Sequence, residues 1–293
     1  MEQSSRRDFL RTGLLSVAGV SLLSGELLAA PKKPARHIGV QLYSVRDDIK
    51  KDAVGTIEKV AKIGYKEVEG FGYADGKFFG LSPEEYSKVL KGNGLTMPSA
   101  HSMVFLKDFD ASTKQFSDSF KKSVEDAAKV GQKYYICPYT IDPDRTKGKE
   151  LAELFNYAGE LTKKYGMKFG YHNHDFEFKE YNGEPLYETL LNHTDKNLVT
   201  FEMDLYWVVA AGKKPVDIFK KHPGRFTHVH VKDHDPVKNV TVEVGEGDIN
   251  FQEIFNHKDL GGVKYFVVEL EQYKRTPLEG IEIGYNNLKK LKF

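Results

Sequence analysis

Four short runs concentrate the groups in this chain that can hold a metal or move a proton. His172 and His174 stand in "GYHNHDFEF", Glu202 and Asp204 in "LVTFEMD", His228, His230 and Lys232 in "FTHVHVKD", and Glu269 and Glu271 in "VKYFVVELEQ". Within each run the spacing is i, i+2, the period that puts side chains on one face of a β-strand. Two further runs, "YKEVEGF" and "LTMPSAH", contribute Glu69 and His101 at equivalent positions. A single histidine at a strand end is more often a hydrogen-bonded structural group than a ligand. Several such runs ending together are harder to dismiss, because carboxylates gathered in one mouth are costly to bury unless a cation or proton compensates them. Histidine with carboxylate and no cysteine suits one divalent ion (Mn, Mg, Zn or Fe) with positions left open for a substrate.

Such groups converge only if the elements carrying them do. Eight apolar runs read as buried strands, beginning "HIGVQLYS" and ending "VKYFVVELE", and amphipathic stretches such as "AVGTIEKVAKIG" and "LAELFNYAGELTKKYG" lie between them. Glycines at 64, 94, 131 and 166 precede strands, as helix C-terminal residues do, and Asp52, Ser82 and Asp217 are expected N-caps. Eight β/α alternations over roughly 250 residues predict an α/β fold, the (β/α)8 TIM barrel, whose active sites lie at the C-terminal ends of the strands. The rival is a doubly wound open sheet, but no G-x-G-x-x-G follows the first strand.

The chain has 293 residues, 40% hydrophobic and 29% charged, with a formal net charge of +1, which is ordinary for a globular protein. Near-neutral charge argues against a nucleic-acid partner. Its first thirty residues have a basic start, a modest apolar stretch from Thr12 to Gly25 and small residues at Ala29 and Ala30, the layout of an export signal. Arg6-Arg7 followed by Asp8-Phe9-Leu10 resembles the bacterial twin-arginine signal, which implies export to the periplasm in a folded state. The expected organisation is a signal over 1–30, a linker over 31–36 and one barrel domain over 37–293, with no membrane span once the signal is removed. Cys137 stands alone in "YYICPY" and reads as a small buried residue.

With "GVQLYSVRD", "YHNHDFEF", "EMDLYWVVAAGKKP", "HVHVKD", "VGEGDINF" and "VVELEQ" in place, the chain resembles the xylose isomerase-like barrel superfamily, which includes sugar phosphate isomerases/epimerases, inosose dehydratase and endonuclease IV. Epimerase members hold a divalent ion with Glu, Asp, His and Glu from strands five to eight. By position the resemblance implies Asp204, His230 and Glu269 as ligands, with His172 where the strand-five glutamate stands. That "YHNH" version resembles the inosose-dehydratase branch. Trp207 replaces the epimerase histidine three residues after the aspartate.

The implied chemistry is proton abstraction beside a carbonyl on a sugar, through an enediolate. Glu269 is the expected base, His174 the opposing acid or base, and Lys232 the group facing the oxyanion or a hydroxyl. Glu69, His101, Arg46, Trp207 and Glu271 are the expected substrate contacts, with structural roles open for each. Whether Glu269 or Glu271 is the ligand depends on where strand eight ends. Reprotonation makes a sugar isomerase or epimerase. Loss of a β-leaving group makes a lyase, such as a dehydratase or a 3-keto-glycoside-cleaving enzyme. A non-catalytic periplasmic sugar-binding protein is the third alternative. All three take a small-molecule sugar, and the oligomeric state stays open.

Overall fold

The computed structural model describes residues 37–293, so the export signal expected over 1–30 and the linker over 31–36 lie outside the described residues. Eight strands form the barrel: β1 (His37–Gln41), β2 (Glu67–Gly70), β3 (Thr96–His101), β4 (Tyr134–Cys137), β5 (Lys168–His172), β6 (Val199–Asp204), β7 (Phe226–Val231) and β8 (Tyr265–Val268). All neighbours are parallel, and β1 pairs with both β2 and β8, which closes the sheet and excludes the open doubly wound alternative.

The sequence of β6 shows why such a strand forms. Val199, Phe201 and Met203 alternate with Thr200, Glu202 and Asp204, and all six are buried. A parallel strand is covered on both faces, so one set must suit the helix layer and the other the barrel interior. Phe201 belongs to the outer set, with ring centroids 5.7 Å from Tyr187 and 6.2 Å from Phe226. Truncating it to alanine is expected to cost roughly 3–5 kcal/mol through lost burial and the cavity left behind.

Helices set the strands' positions from outside. Asp52 caps Ala53–Ile63 by accepting the Gly55 N–H, and Ser82 forms a reciprocal capping box with Glu85 at the start of Pro83–Gly92. Gly64 and Gly131 cap Ala53–Ile63 and Asp118–Val130 as expected, with φ of +122° and +96°. Gly94 and Gly166 also end their helices as expected, one residue after the caps Asn93 and Tyr165, supplying the left-handed turn that lets Leu95 N–H reach the Leu90 carbonyl and Met167 N–H the Thr162 carbonyl. Asp217 is not an N-cap. Lys214, extended before Pro215, starts Pro215–Lys221 and leaves Asp217 in its first turn.

Three of the ionisable strand ends also differ from expectation. β5 stops at His172, β7 at Val231 and β8 at Val268, so His174, Lys232, Glu269 and Glu271 stand just beyond the ladder, where the chain turns out over the mouth. Glu269 stays tied to it through its N–H to the Val231 carbonyl at 3.2 Å. Four two-stranded hairpins decorate the loops after β2, β3, β5 and β7, and short polar runs gave no alternation by which to expect them.

Candidate active site at the barrel mouth

The register brings the ionisable strand ends level. Glu202 of β6 pairs with His172 of β5, and Asp204 with His230 of β7. The result is a cluster in which His172, Asp204, His230 and Glu269 each place one ligand atom within 4.8 Å of the others, all four side chains buried. Glu269, not Glu271, belongs to it. Glu271 stands on the far side of Lys232, about one-third exposed and facing the cavity.

The outer nitrogen of each histidine is already engaged. His172 Nδ1 lies 3.0 Å from the Pro138 carbonyl, an acceptor only, so Nδ1 carries the proton and the Nε2 lone pair faces inward. His230 Nε2 lies 2.7 Å from Glu69 Oε1, which leaves Nδ1 directed at Glu269 Oε2, 3.0 Å away, and Asp204 Oδ2, 3.8 Å away. Glu69 is itself fixed by Gln41 at 2.8 Å and Ser99 at 2.6 Å. His172 Nε2 is buried without a hydrogen bond, and Asp204 Oδ2 meets the Lys232 ammonium, 2.9 Å away. His172 turns a lone pair toward Asp204, and His230 Nδ1 meets Glu269 Oε2 at 3.0 Å, a position where a divalent ion would take the place of the shared proton. This donor set fits a divalent ion, and the Glu69–His230 contact has the carboxylate–histidine form that orients metal-binding imidazoles.

Asp204 serves local structure as well. Its Oδ1 accepts the Trp207 N–H and caps Leu205–Ala210, while Asn173 Oδ1 accepts the Asp204 N–H at 3.2 Å. Asn173 therefore holds the backbone of β6 in register with β5. The histidine-flanked asparagine has a positioning role, its side chain turned away from the two imidazoles.

One lysine serves three of the carboxylates. Lys232, fully buried, lies 2.7 Å from Glu269, 2.7 Å from Glu271 and 2.9 Å from Asp204. Burial disfavours its charge, but Asp204, Glu269 and Glu271 outweigh that and hold its pKa well above the ordinary lysine value. Burial likewise disfavours ionised Asp204 and Glu269, yet Lys232 brings both well below the usual carboxylate range, with the neighbouring histidines adding to it. His230 is opposed by burial and raised by Glu202, Glu269 and Glu69.

His101 lies deeper than a sugar contact needs, 2.8 Å from Glu202 and 3.2 Å from Glu69, and still reaches the cavity wall. With His172, Glu202 and His230 it forms a second convergent set. The cavity above has a volume of about 430 Å³, with His101, His172, His174, Glu269 and Glu271 on its polar side. His174 lines it with Nδ1 unpartnered, its ring 5.3 Å from that of Trp207. Glu69, Trp207 and Arg46 stand behind the lining side chains. Trp207 backs His174 and comes within 5.6 Å of Lys232 Nζ, and Arg46 bonds the Glu271 carbonyl, the Tyr43 carbonyl and the Tyr273 hydroxyl. Cys137 is buried with its thiol pushed up to about 12 by burial, as a structural cysteine would be.

The i, i+2 spacing places Glu202 among the converging strand ends without giving it a role, and the structure puts it in the deeper set with His101, His172 and His230. Sequence reasoning passed over the aromatic side of the cavity, Tyr43, Phe71 and Tyr139, which carries no signal distinguishable from core residues.

Comparisons with known proteins agree with this fold. A sugar phosphate isomerase/epimerase from Parabacteroides distasonis superposes with a TM-score of 0.78 and 31% identity, over 89% of this chain and 96% of that one. Inosose dehydratase from Clostridium perfringens is 33% identical over 142 residues, 42% of this chain and 47% of the relative, so the chain spans about half the length of the curated relatives it matches. A structure of the IolI protein with a bound zinc atom shares the fold at 17% identity and a TM-score of 0.62, over 87% of this chain and 97% of that one. The sequence profile described as xylose isomerase-like TIM barrel matches residues 57–291, and the chain belongs to that family.

Proposed function

We propose that this protein is a metal-dependent sugar isomerase or epimerase, moving a proton beside a carbonyl on a carbohydrate. The observation that carries it is the convergence of His172, Asp204, His230 and Glu269 under a cavity large enough for a sugar. A divalent ion held by these four would polarise a carbonyl oxygen and favour the negative charge that develops when the adjacent C–H proton leaves.

The remaining steps belong to the chain's own groups. His174, neutral because burial pushes its pKa well below the ordinary value, lines the cavity and is the group to take up or return the proton. Glu269, with Oε2 turned to Lys232 and His230, is a ligand first, and its other oxygen is the second proton-transfer atom. Lys232 keeps Asp204 and Glu269 ionised and adds positive charge where an oxyanion forms. The similarity to enzymes named sugar phosphate isomerase/epimerase and inosose dehydratase supports carbohydrate chemistry.

A lyase is the second reading. The strand-five ligand position holds His172 where a two-carboxylate epimerase would have a glutamate, and one free imidazole suits elimination as well as reprotonation. Export by the twin-arginine route is part of the proposal. A periplasmic enzyme would meet free or glycosidic sugars more than sugar phosphates.

Incubating metal-loaded protein with ketosugars in D2O tests the reading. Deuterium in recovered sugar is the expected result, and loss of a leaving group selects the lyase. Tight binding with neither outcome would replace both with a non-catalytic sugar-binding protein.

A further inference from the structure

The end of the barrel opposite the mouth carries cations that the site does not use. Lys66, Lys133, Arg225 and Lys264 stand directly before β2, β4, β7 and β8, and Lys168 is the first residue of β5. The strands are parallel, so these five residues share one end of the barrel. The Lys133 carbonyl accepts the Lys168 N–H at 2.9 Å, which sets two of them at the same level on neighbouring strands. Helices run back to that end, and Lys62, Lys91, Lys163 and Lys220 lie in their last turns. Lysine there complements the helix macrodipole, an account that does not extend to the strand starts.

Among the described residues none of the five forms an ion pair: Lys168 Nζ reaches the Lys196 carbonyl at 2.7 Å, and Arg225 donates to the Leu191 carbonyl and the Thr194 hydroxyl. Glu67 and Asp195 are the acids interspersed with them. Half-buried Lys168 is held below the ordinary lysine value by burial and then by the charges of Arg225 and Lys264, and Asp195 offsets only part of this. Like charges left in this state repel, and an anion brought to them relieves the repulsion. The barrel is closed beneath them. Tyr134 and Tyr265, from opposite strands β4 and β8, meet with ring centroids 5.5 Å apart, and His228 stacks on Tyr265 at 4.5 Å. Cations spread round a closed end suit an extended anionic surface better than one enclosed anion. Four of the five are lysines, point charges that follow scattered phosphates without the fixed fork of arginine. We infer that this end of the barrel docks reversibly on an anionic lipid surface, with the mouth turned to solution on the far side.

Full-length protein is sedimented with vesicles of phosphatidylcholine alone and of phosphatidylcholine containing ~30% phosphatidylglycerol. The expected result is binding to the second only, lost between about 0.05 and 0.5 M salt as screening shortens. Lys66, Lys133 and Lys264 are exposed. Lys66→Gln, Lys133→Gln and Lys264→Gln should each weaken binding about fivefold, and the three together on the order of 10²-fold. The control combines Lys77→Gln, Lys107→Gln and Lys238→Gln, exposed lysines in the loops after β2, β3 and β7 at the mouth end. It removes the same charge and should leave binding within about twofold of the unmodified protein. Equal weakening by the two triple variants would reduce the effect to net charge and overturn the inference. Binding that ignores phosphatidylglycerol or salt, or no binding to either vesicle, overturns it as well. Capture by poly-glutamate without binding to vesicles would give this face to an acidic protein and also overturn it. If the first triple variant does not fold, its three single substitutions decide between the same outcomes.

Discussion

Two buried acids, one in the barrel mouth and one behind β5, meet opposite fates. Glu269, in the mouth, is 4% exposed and its carboxyl is brought well below the usual range. Glu177, behind the strand in the loop over the helix layer, is fully buried and burial pushes its carboxyl up to about 8. Both accept hydrogen bonds. Glu177 takes the Tyr171 hydroxyl at 2.6 Å and the His174 N–H at 2.8 Å. What differs is the charge nearby. Lys232 and His230 touch Glu269, whereas Tyr171 and a backbone amide touch Glu177. Burial alone makes a carboxyl neutral, and only converging cations keep one ionised. The mouth is thus an anionic site kept charged by its neighbours, while the shell behind it holds an acid as a polar structural group.

Removing a carboxylate from the mouth is the largest break in that contrast. Asp204→Asn and Glu269→Gln each keep shape but lose charge and a ligand atom. Metal analysis should show the ion gone, and proton exchange should fall on the order of 10³-fold, the equivalent of several kcal/mol of charge stabilisation. Unchanged metal content in both variants would refute the ligand set.

Lys232→Met tests the other half of the same balance. It leaves Asp204, Glu269 and Glu271 without their shared cation. Breaking a buried pair in this way costs about 3–5 kcal/mol of stability. A bound divalent ion should recover part of that, so the melting temperature of the variant should rise more on metal addition than that of the unmodified protein. Turnover is expected to fall by about 10²-fold. Equal metal-induced shifts would show that Lys232 and the metal do not share the same carboxylates.

Glu69→Gln should be milder, since Glu69 acts through His230. The amide keeps contacts to Gln41 and Ser99 but no longer offers a charged acceptor to His230 Nε2. Metal affinity, measured by chelator competition, should drop about 10–100-fold. Glu69→Asp, which restores charge at a shorter reach, should recover part of it. A purely structural Glu69 would instead lower stability and leave affinity unchanged.

The contrast also explains what was legible beforehand. The i, i+2 spacing of His172/His174, Glu202/Asp204, His228/His230 and Glu269/Glu271 announced a shared face, and the β/α alternation announced the barrel that makes such faces converge. Spacing could not separate the layers along a strand. His228 and His230 share a face, yet His228 lies stacked on Tyr265 with 4.5 Å between centroids, pushed below the ordinary histidine value by burial, while His230 sits among carboxylates. Depth along the barrel axis separates them, and depth comes from register and a bulge at Phe201/Glu202 that no local pattern encodes. The aromatic side of the cavity was illegible for a related reason. Tyr43, Phe71 and Tyr139 follow apolar strands and read as more core, because exposure at a loop is decided by neighbours distant in sequence.

Glu177→Gln is expected to change turnover least, because Glu177 touches the His174 backbone and not its ring. Its effect should appear instead in the pH dependence of stability. A carboxyl at about 8 in the folded chain, against 4.5 for an ordinary glutamate, means that the folded state binds more protons than the unfolded state between those two values. The contribution of Glu177 to stability is therefore fully present below pH 4.5, declines as pH rises through the window and is lost above 8, a change on the order of 5 kcal/mol. Glutamine cannot ionise and has no such slope. Urea unfolding of both proteins from about pH 5 to 8.5 should show the difference between them moving in favour of the glutamine variant as pH rises. Parallel curves would mean that Glu177 is ionised when folded, and that burial behind β5 is no different in kind from burial in the mouth.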